Sequence, residues 1–124
     1  MRDFAKQARA ALSVYLQRGA TALAHFESGD VDSALETLRM RKAAYLNYRA
    51  GDVILLKQGI DIALESEVVV TINKIKEVDS VLQVRIEEAR VKAESDLARI
   101  VNHRSKLGRY RSGLAESARF EKPA

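Results

Sequence analysis

The chain contains no cysteine, one proline and few aromatic residues, and each scarcity removes a class of protein. Without cysteine there is neither a disulfide framework nor a thiolate metal site, which fits a reducing compartment. The two histidines, His25 and His103, lie far apart in the sequence, and there is no glycine-rich phosphate loop. The sequence therefore offers no candidate pair of nucleophile and base, and no residues with metal-ligand spacing. We therefore expect no catalytic residue, no metal and no cofactor.

Long hydrophobic runs are also missing. No stretch approaches the roughly 18 apolar residues that a membrane span needs. The start of the chain carries Arg2, Asp3, Lys6 and Arg9, which does not fit the apolar region of a signal peptide. At 124 residues, of which 47% are hydrophobic, the chain is about one domain long. We expect a cytoplasmic protein without stable membrane insertion.

Two of the six glycines are followed by an aspartate, at residues 29–30 and 51–52. Each pair is typical of a helix stop followed by a helix start, because glycine accepts a left-handed conformation and aspartate caps the free N–H groups of the next helix. The spacing predicts helices over 3–26, 31–49 and 54–113, followed by a loose tail over 114–124. Residues 53–65 either begin the third helix or form a short helix of their own.

The predicted third helix carries an apolar stripe from Val68 to Leu107 that repeats about every 3.5 residues, the period of antiparallel coiled coils. Its β-branched run EVVVTI at 67–72 leaves a strand as an alternative, although no second run offers a partner. In the second helix, Arg41 and other basic residues are predicted on faces away from the apolar one. We predict an all-α fold, an elongated hairpin or bundle with two shorter helices packed antiparallel on one long C-terminal helix.

Between residues 68 and 84 the third helix is apolar beyond its main stripe. At about 100° per residue, Val70, Val81 and Val84 share a flank roughly 120° from the centre of the stripe. Three explanations stay open: the shorter helices cover this flank, a homodimer buries it, or it belongs to a groove that receives a helix from a partner. The predicted groove comprises Leu35, Leu38, Tyr45, Val70, Ile72, Ile75, Val81, Leu82, Val84 and Ile86, some of which must also hold the fold.

A basic strip closes the predicted third helix. Residues 99–111 hold five arginines and lysines and no acidic residue, a local charge of +5 in a chain of net charge +4. Arginines interrupt the apolar stripe here, and Arg99, His103, Lys106 and Tyr110 form a second face beside it. This face is either a solvated helix end, where cations complement the helix dipole, or a docking surface anchored by tyrosine. We expect no nucleic-acid partner, because the patch is small and lacks a recognised motif.

The pattern resembles a known family. A second helix that opens with SGDVDSALETL and a long third helix that carries INKIKEVDSVLQVRIEEARVKAESDLARIVNHRSKLGRYRSG are similar to the small flagellar type III export chaperones. The FliT type is the nearest, the FlgN type is the near alternative, and the likeness extends over about residues 3–113 through loosely spaced motifs.

The resemblance implies a bacterial cytoplasmic chaperone. Such a protein binds an amphipathic C-terminal helix of its export substrate, a filament-cap or hook-junction protein, and delivers it to the cytoplasmic domain of the export gate. It also implies that Tyr110, in RYRSG, takes part in docking to the gate. The alternative function is a coiled-coil structural adaptor without an export client.

Overall fold

The computed structural model describes the backbone of residues 3–120 and the side chains of residues 3–109. Over this part the chain is all-α, as the sequence predicts, and contains no strand. The run EVVVTI is helical, so the strand alternative is wrong. The elements are α1 (Phe4–Glu27), α2 (Val31–Lys57), a short 3-10 turn (Ile62–Leu64) and α3 (Ser66–Phe120).

Aspartates begin the first two helices. Asp3 Oδ1 accepts a hydrogen bond from the Lys6 backbone N–H at 3.0 Å, and Asp30 Oδ1 accepts one from the Ser33 N–H at 3.1 Å. Between α1 and α2 the chain turns at Gly29, whose φ of 81° is strained for any residue with a Cβ. The predicted stop and start at residues 29–30 is therefore confirmed.

The predicted helix stop at Gly51 is wrong, because α2 continues through it to Lys57. Gly51 is buried against α1, and a Cβ at this position would lie 3.2 Å from the Cβ of Ala8. The glycine allows two helix backbones to approach each other and does not turn the chain. The turn comes instead at Gly59, which has a φ of 76°.

A compact connection joins α2 to α3. Its centre is Ile62, which is fully buried in the 3-10 turn. Asp61 Oδ1 accepts a hydrogen bond from the Ala63 N–H at 3.1 Å and fixes the start of that turn. The third helix, predicted from residue 54, therefore begins only at Ser66, and residues 53–57 belong to α2.

At its other end α3 is longer than predicted. The backbone is helical to Phe120, whereas the sequence predicted a loose tail from residue 114. Residues 114–120 contain no proline and several strong helix formers, so local propensity continues the helix. Residues 121–124 of the predicted tail lie outside the described part of the chain.

The helices reverse direction twice. Arg41 of α2 contacts Tyr15 of α1 and Asp79 of α3, and Arg9 pairs with Glu65 at the start of α3 at 3.2 Å. α2 therefore runs antiparallel to both neighbours, while α3 runs in the same direction as α1. The expectation that both shorter helices lie antiparallel to the third is wrong for α1, because two short reversals restore the original direction. The buried apolar core is Ala8, Leu12, Leu55, Ile62, Val68 and Ile75.

The structure divides into two compact units, with the boundary between Ile86 and Glu87. The first unit contains α1, α2 and α3 up to Ile86, and it holds the apolar core. In the second unit no described side chain is buried. There Arg90 pairs with Glu87 and Glu94 along the helix, and its hydrogen bond holds the pKa of Glu87 below the ordinary value.

Candidate functional site

An apolar groove lies in the first unit where α3 packs beside α1 and α2. Its volume is about 270 Å³. It falls between α2 and the 72–79 part of α3, within the region where the sequence predicts a groove. We call it the tyrosine groove, and its lining residues are Leu12, Tyr15, Tyr45, Tyr48, Ile72, Ile75, Lys76 and Asp79.

Three of the residues that line the groove are tyrosines: Tyr15, Tyr45 and Tyr48. The ring centroids of Tyr15 and Tyr45 are 5.9 Å apart with a tilt of 47°, an arrangement that aromatic pairs favour. Burial is the main cause that raises the pKa of Tyr15 and of Tyr48 above the ordinary value. Both phenols therefore stay neutral at physiological pH. The groove offers aromatic surface and hydroxyl groups, the combination that anchors protein interfaces.

A buried arginine supports the wall of the groove. Arg41 is 6% exposed, its Nε donates to the Tyr15 carbonyl at 3.0 Å, and its guanidinium carbon lies 3.7 Å from the centre of the Tyr15 ring. Its Nη1 is 2.7 Å from Asp79 Oδ1, an ion pair without hydrogen-bond alignment. Gly19 leaves the space, because a Cβ there would lie 2.6 Å from Nη2 of Arg41. One side chain thus connects all three helices.

Sequence reasoning placed Arg41 on an outer face and missed this role. Two signals were present: Asp79 falls close to the apolar stripe of α3, and Gly19 interrupts the apolar face of α1. A charge and a missing side chain at core-facing positions indicate that a buried cation from another helix occupies the space.

The predicted groove residues occupy four different environments. Tyr45, Ile72 and Ile75 line the tyrosine groove, although Ile75 is itself buried in the core. Leu82 is buried as well, so its main contribution is to the fold. Leu38 is half-buried and lines a neighbouring concavity of about 240 Å³.

The remaining predicted groove residues form an exposed surface outside the tyrosine groove. Val70, Val81 and Val84, which we call the valine flank, are 53%, 41% and 55% exposed. Leu35 and Ile86 are exposed too. The explanation in which the shorter helices cover this flank is therefore wrong, because α1 and α2 together leave these side chains open to a partner.

A second concavity, which the sequence did not predict, lies between α1 and α2. Its volume is about 490 Å³. Its signal in the sequence is the alanine pair at 10–11 in α1, whose small side chains leave space beside α2. The lining residues are Phe4, Gln7, Ala10, Ala11, Val14, Asn47, Ala50, Gly51 and Ile54.

The predicted docking face belongs to the second unit. Arg99, His103 and Lys106 are exposed, and Arg99 Nη2 forms a 2.8 Å ion pair with Asp96 Oδ1 on the same helix. The basic strip therefore begins beside an acidic residue that neutralises its first arginine. The side chain of Tyr110, the predicted anchor, lies outside the described residues.

Two kinds of feature are absent from the described part of the chain. Its histidine, aspartate and glutamate side chains nowhere form a group of three that could hold a metal ion. Its helices include none that is long and apolar enough to cross a bilayer.

Comparison of the chain with protein-family models, with curated proteins and with solved structures gave no significant match.

Proposed function

We propose that the chain is a flagellar type III export chaperone that acts in the bacterial cytoplasm. It binds an amphipathic helix of a filament-cap or hook-junction protein and delivers this client to the export gate. One observation carries the proposal: α2 and α3 present an apolar groove and an exposed valine flank in a unit whose core is already formed. The resemblance of the α2 and α3 sequences to such chaperones supports this client class.

The tyrosine groove suits a helical client. An amphipathic helix presents apolar side chains at positions i, i+3, i+4 and i+7, which fill a groove of this kind. Tyr45 is 42% exposed and supplies a rigid aromatic anchor, while Ile72 lies half-buried in the wall. Lys76 places a positive charge in the lining, so an acidic group of the client can fix its direction, whereas Asp79 is already paired with Arg41. Because Arg41 already holds the wall, little conformational entropy is lost on binding.

The docking face serves the second partner. Arg99, His103, Lys106 and Tyr110 form a surface for an acidic region of the export gate, with tyrosine as the anchor. Exposed cations accelerate association with an acidic surface and make it sensitive to salt. None of these residues belongs to the tyrosine groove or the valine flank, so client binding and gate binding are separable by mutation.

The test of the client site is the variant Val81→Lys, measured by calorimetry with the C-terminal segments of filament-cap and hook-junction proteins. We expect client affinity to fall about tenfold or more, because a client that extends from the tyrosine groove over the valine flank would bury an unpaired lysine. Val91→Lys is the matched control, since Val91 is also exposed, at 52%, but lies in the second unit. If Val81→Lys keeps full client affinity and the circular dichroism spectrum is unchanged, the valine flank is not the client surface.

The test of the docking face is Tyr110→Ala. We expect binding to the gate's cytoplasmic domain to weaken by about 2 kcal/mol, the loss typical of an anchor residue, with client affinity and melting temperature unchanged. A large drop in melting temperature with unaltered gate affinity would make Tyr110 a structural residue instead.

A structural adaptor is the second candidate function. It is favoured by the second unit, where Leu97, Ile100 and Leu107 are exposed along one helix. An adaptor of this kind associates through α3 and binds neither client segment. The same calorimetric titrations distinguish the two functions.

A further inference from the structure

The second unit carries an apolar face that is open to solvent. Leu97, Ile100 and Leu107 are 61%, 50% and 41% exposed. At about 100° of rotation per residue, these side chains and Ala93 fall within roughly 80° of one another around the helix. Large aliphatic side chains grouped on one side of an exposed helix indicate a surface that meets another surface. We call this group the Ile100 face.

Two charged residues interrupt the Ile100 face, and their positions are symmetric. Asp96 and Arg104 lie four residues before and four residues after Ile100, each about 40° from its direction. The net charge of the helix also changes sign close to Ile100. Residues 87–98 hold four acidic and two basic residues, a net charge of −2, whereas residues 99–109 hold four basic residues and no acidic one, a net charge of +4.

We propose that the Ile100 face pairs with the same face of a second copy of this chain, in antiparallel orientation, with Ile100 of both copies at the two-fold axis. In this register, positions whose numbers add to 200 lie opposite each other. Asp96 of one copy then meets Arg104 of the other, and Ala93 meets Leu107. Both charged interruptions receive a partner of opposite sign, the small Ala93 faces the large Leu107, and Leu97 of one copy lies beside His103 of the other.

Charge complementarity selects this occupant and this orientation. In a parallel pair, Asp96 would lie beside Asp96 and Arg104 beside Arg104, and like charges across an interface repel. The ion pair of Asp96 with Arg99 within one copy does not oppose the pairing. Both side chains are substantially exposed, and an exposed pair between residues three apart contributes little stability. The intermolecular pair with Arg104 can therefore replace it.

The inference is independent of the proposed client site, which uses residues of the first unit only. It leaves two residues of the docking face accessible and covers His103, which lies opposite Leu97 in this register. Arg99 and Lys106 are rotated about 100° and 120° from Ile100, so pairing through Ile100 does not cover them.

The test is a charge-exchange series in the full chain, measured by sedimentation velocity over a range of concentrations. The wild type is expected to form dimers as concentration rises. Asp96→Arg and Arg104→Asp are each expected to raise the dimer dissociation constant about tenfold or more, because each creates like-charge pairs. An equimolar mixture of these two variants restores both ion pairs in a heterodimer, and the chain that carries both exchanges restores them in a homodimer.

A cysteine scan tests the register, because the chain has no native cysteine. Ile100→Cys is expected to form an intermolecular disulfide under mild oxidation, since the two copies meet there. Val91→Cys is the matched control: it is similarly exposed but points to the opposite side of the helix, and it should stay reduced. Three results overturn the proposal: a wild type that remains monomeric, single exchanges that dimerise as tightly as the wild type, or equal cross-linking at both cysteines.

Discussion

Removal of Arg41 tests how the first unit is held together. In Arg41→Ala the carboxylate of Asp79 loses the cation 2.7 Å away, and the Tyr15 ring loses the guanidinium packed on its face. The space above Gly19 that the guanidinium fills also becomes empty. All three effects lower the stability of the folded state, and none of them acts on the unfolded chain.

The expected magnitude follows from the burial of the two partners. Breaking a fully buried ion pair costs about 3 to 5 kcal/mol, because a charge remains without a partner. The side chain of Asp79 is 37% exposed, whereas that of Arg41 is 7% exposed, so water recovers part of the loss at the carboxylate. We therefore expect Arg41→Ala to lower the free energy of unfolding by about 2 to 3 kcal/mol.

The assay is urea denaturation followed by circular dichroism at neutral pH. Arg39→Ala is the matched control, because Arg39 is exposed and makes only a 3.7 Å surface pair with Glu36. Its effect should stay within about 0.5 kcal/mol. Replacement of both partners, in Arg41→Met with Asp79→Leu, should recover most of the loss, since an apolar pair leaves no uncompensated charge. If Arg41→Ala costs no more than Arg39→Ala, the reasoning about Arg41 is refuted.

Two further predictions concern the ends of α2. Gly59→Ala should lower the free energy of unfolding by about 1 kcal/mol, because φ is 76° and the strain exceeds the gain from a less flexible unfolded chain; urea denaturation measures this net effect, since no atom lies within 4 Å of the new Cβ. Hydrogen bonds from Ser33 lower the pKa of the Asp30 carboxyl in the folded protein. The carboxylate therefore stabilises the fold fully above the ordinary pKa of about 3.9, and this stabilisation is lost as the pH falls through the lower pKa of the folded state. Asp30→Asn keeps the cap at neutral pH and should reduce the decline of melting temperature in acid; an identical acid profile for both proteins would contradict this.

The helix ends show what local sequence can predict. The Gly29–Asp30 pair was sufficient to place the turn into α2, because capping involves residues only a few positions apart. The same signal failed at Gly51. There the glycine faces Ala8 of another helix, so its role depends on packing that a local pattern does not contain. α2 ends instead at Lys57, just before the turn at Gly59.

The candidate site was predictable only in part, for the same reason. Periodicity identified Val70, Val81 and Val84 as apolar residues outside the stripe of α3, and the structure leaves them exposed. The support for the tyrosine groove was missed, because it requires Arg41, Tyr15 and Asp79 to come together from three helices. Helical periodicity orients each helix but does not determine which buried side chains meet.

The most direct test of the central claim is a fluorescence titration of the groove. The chain has no tryptophan, so a single tryptophan on the apolar face of a client's C-terminal segment reports only its own environment. We predict a saturable blue shift with the wild type and an affinity about tenfold lower with Tyr45→Lys, because the lysine occupies the groove. Leu46→Lys, at an exposed neighbouring position outside the groove lining, should bind as the wild type does. An equal blue shift and equal affinity for Tyr45→Lys and the wild type would contradict client binding in the tyrosine groove.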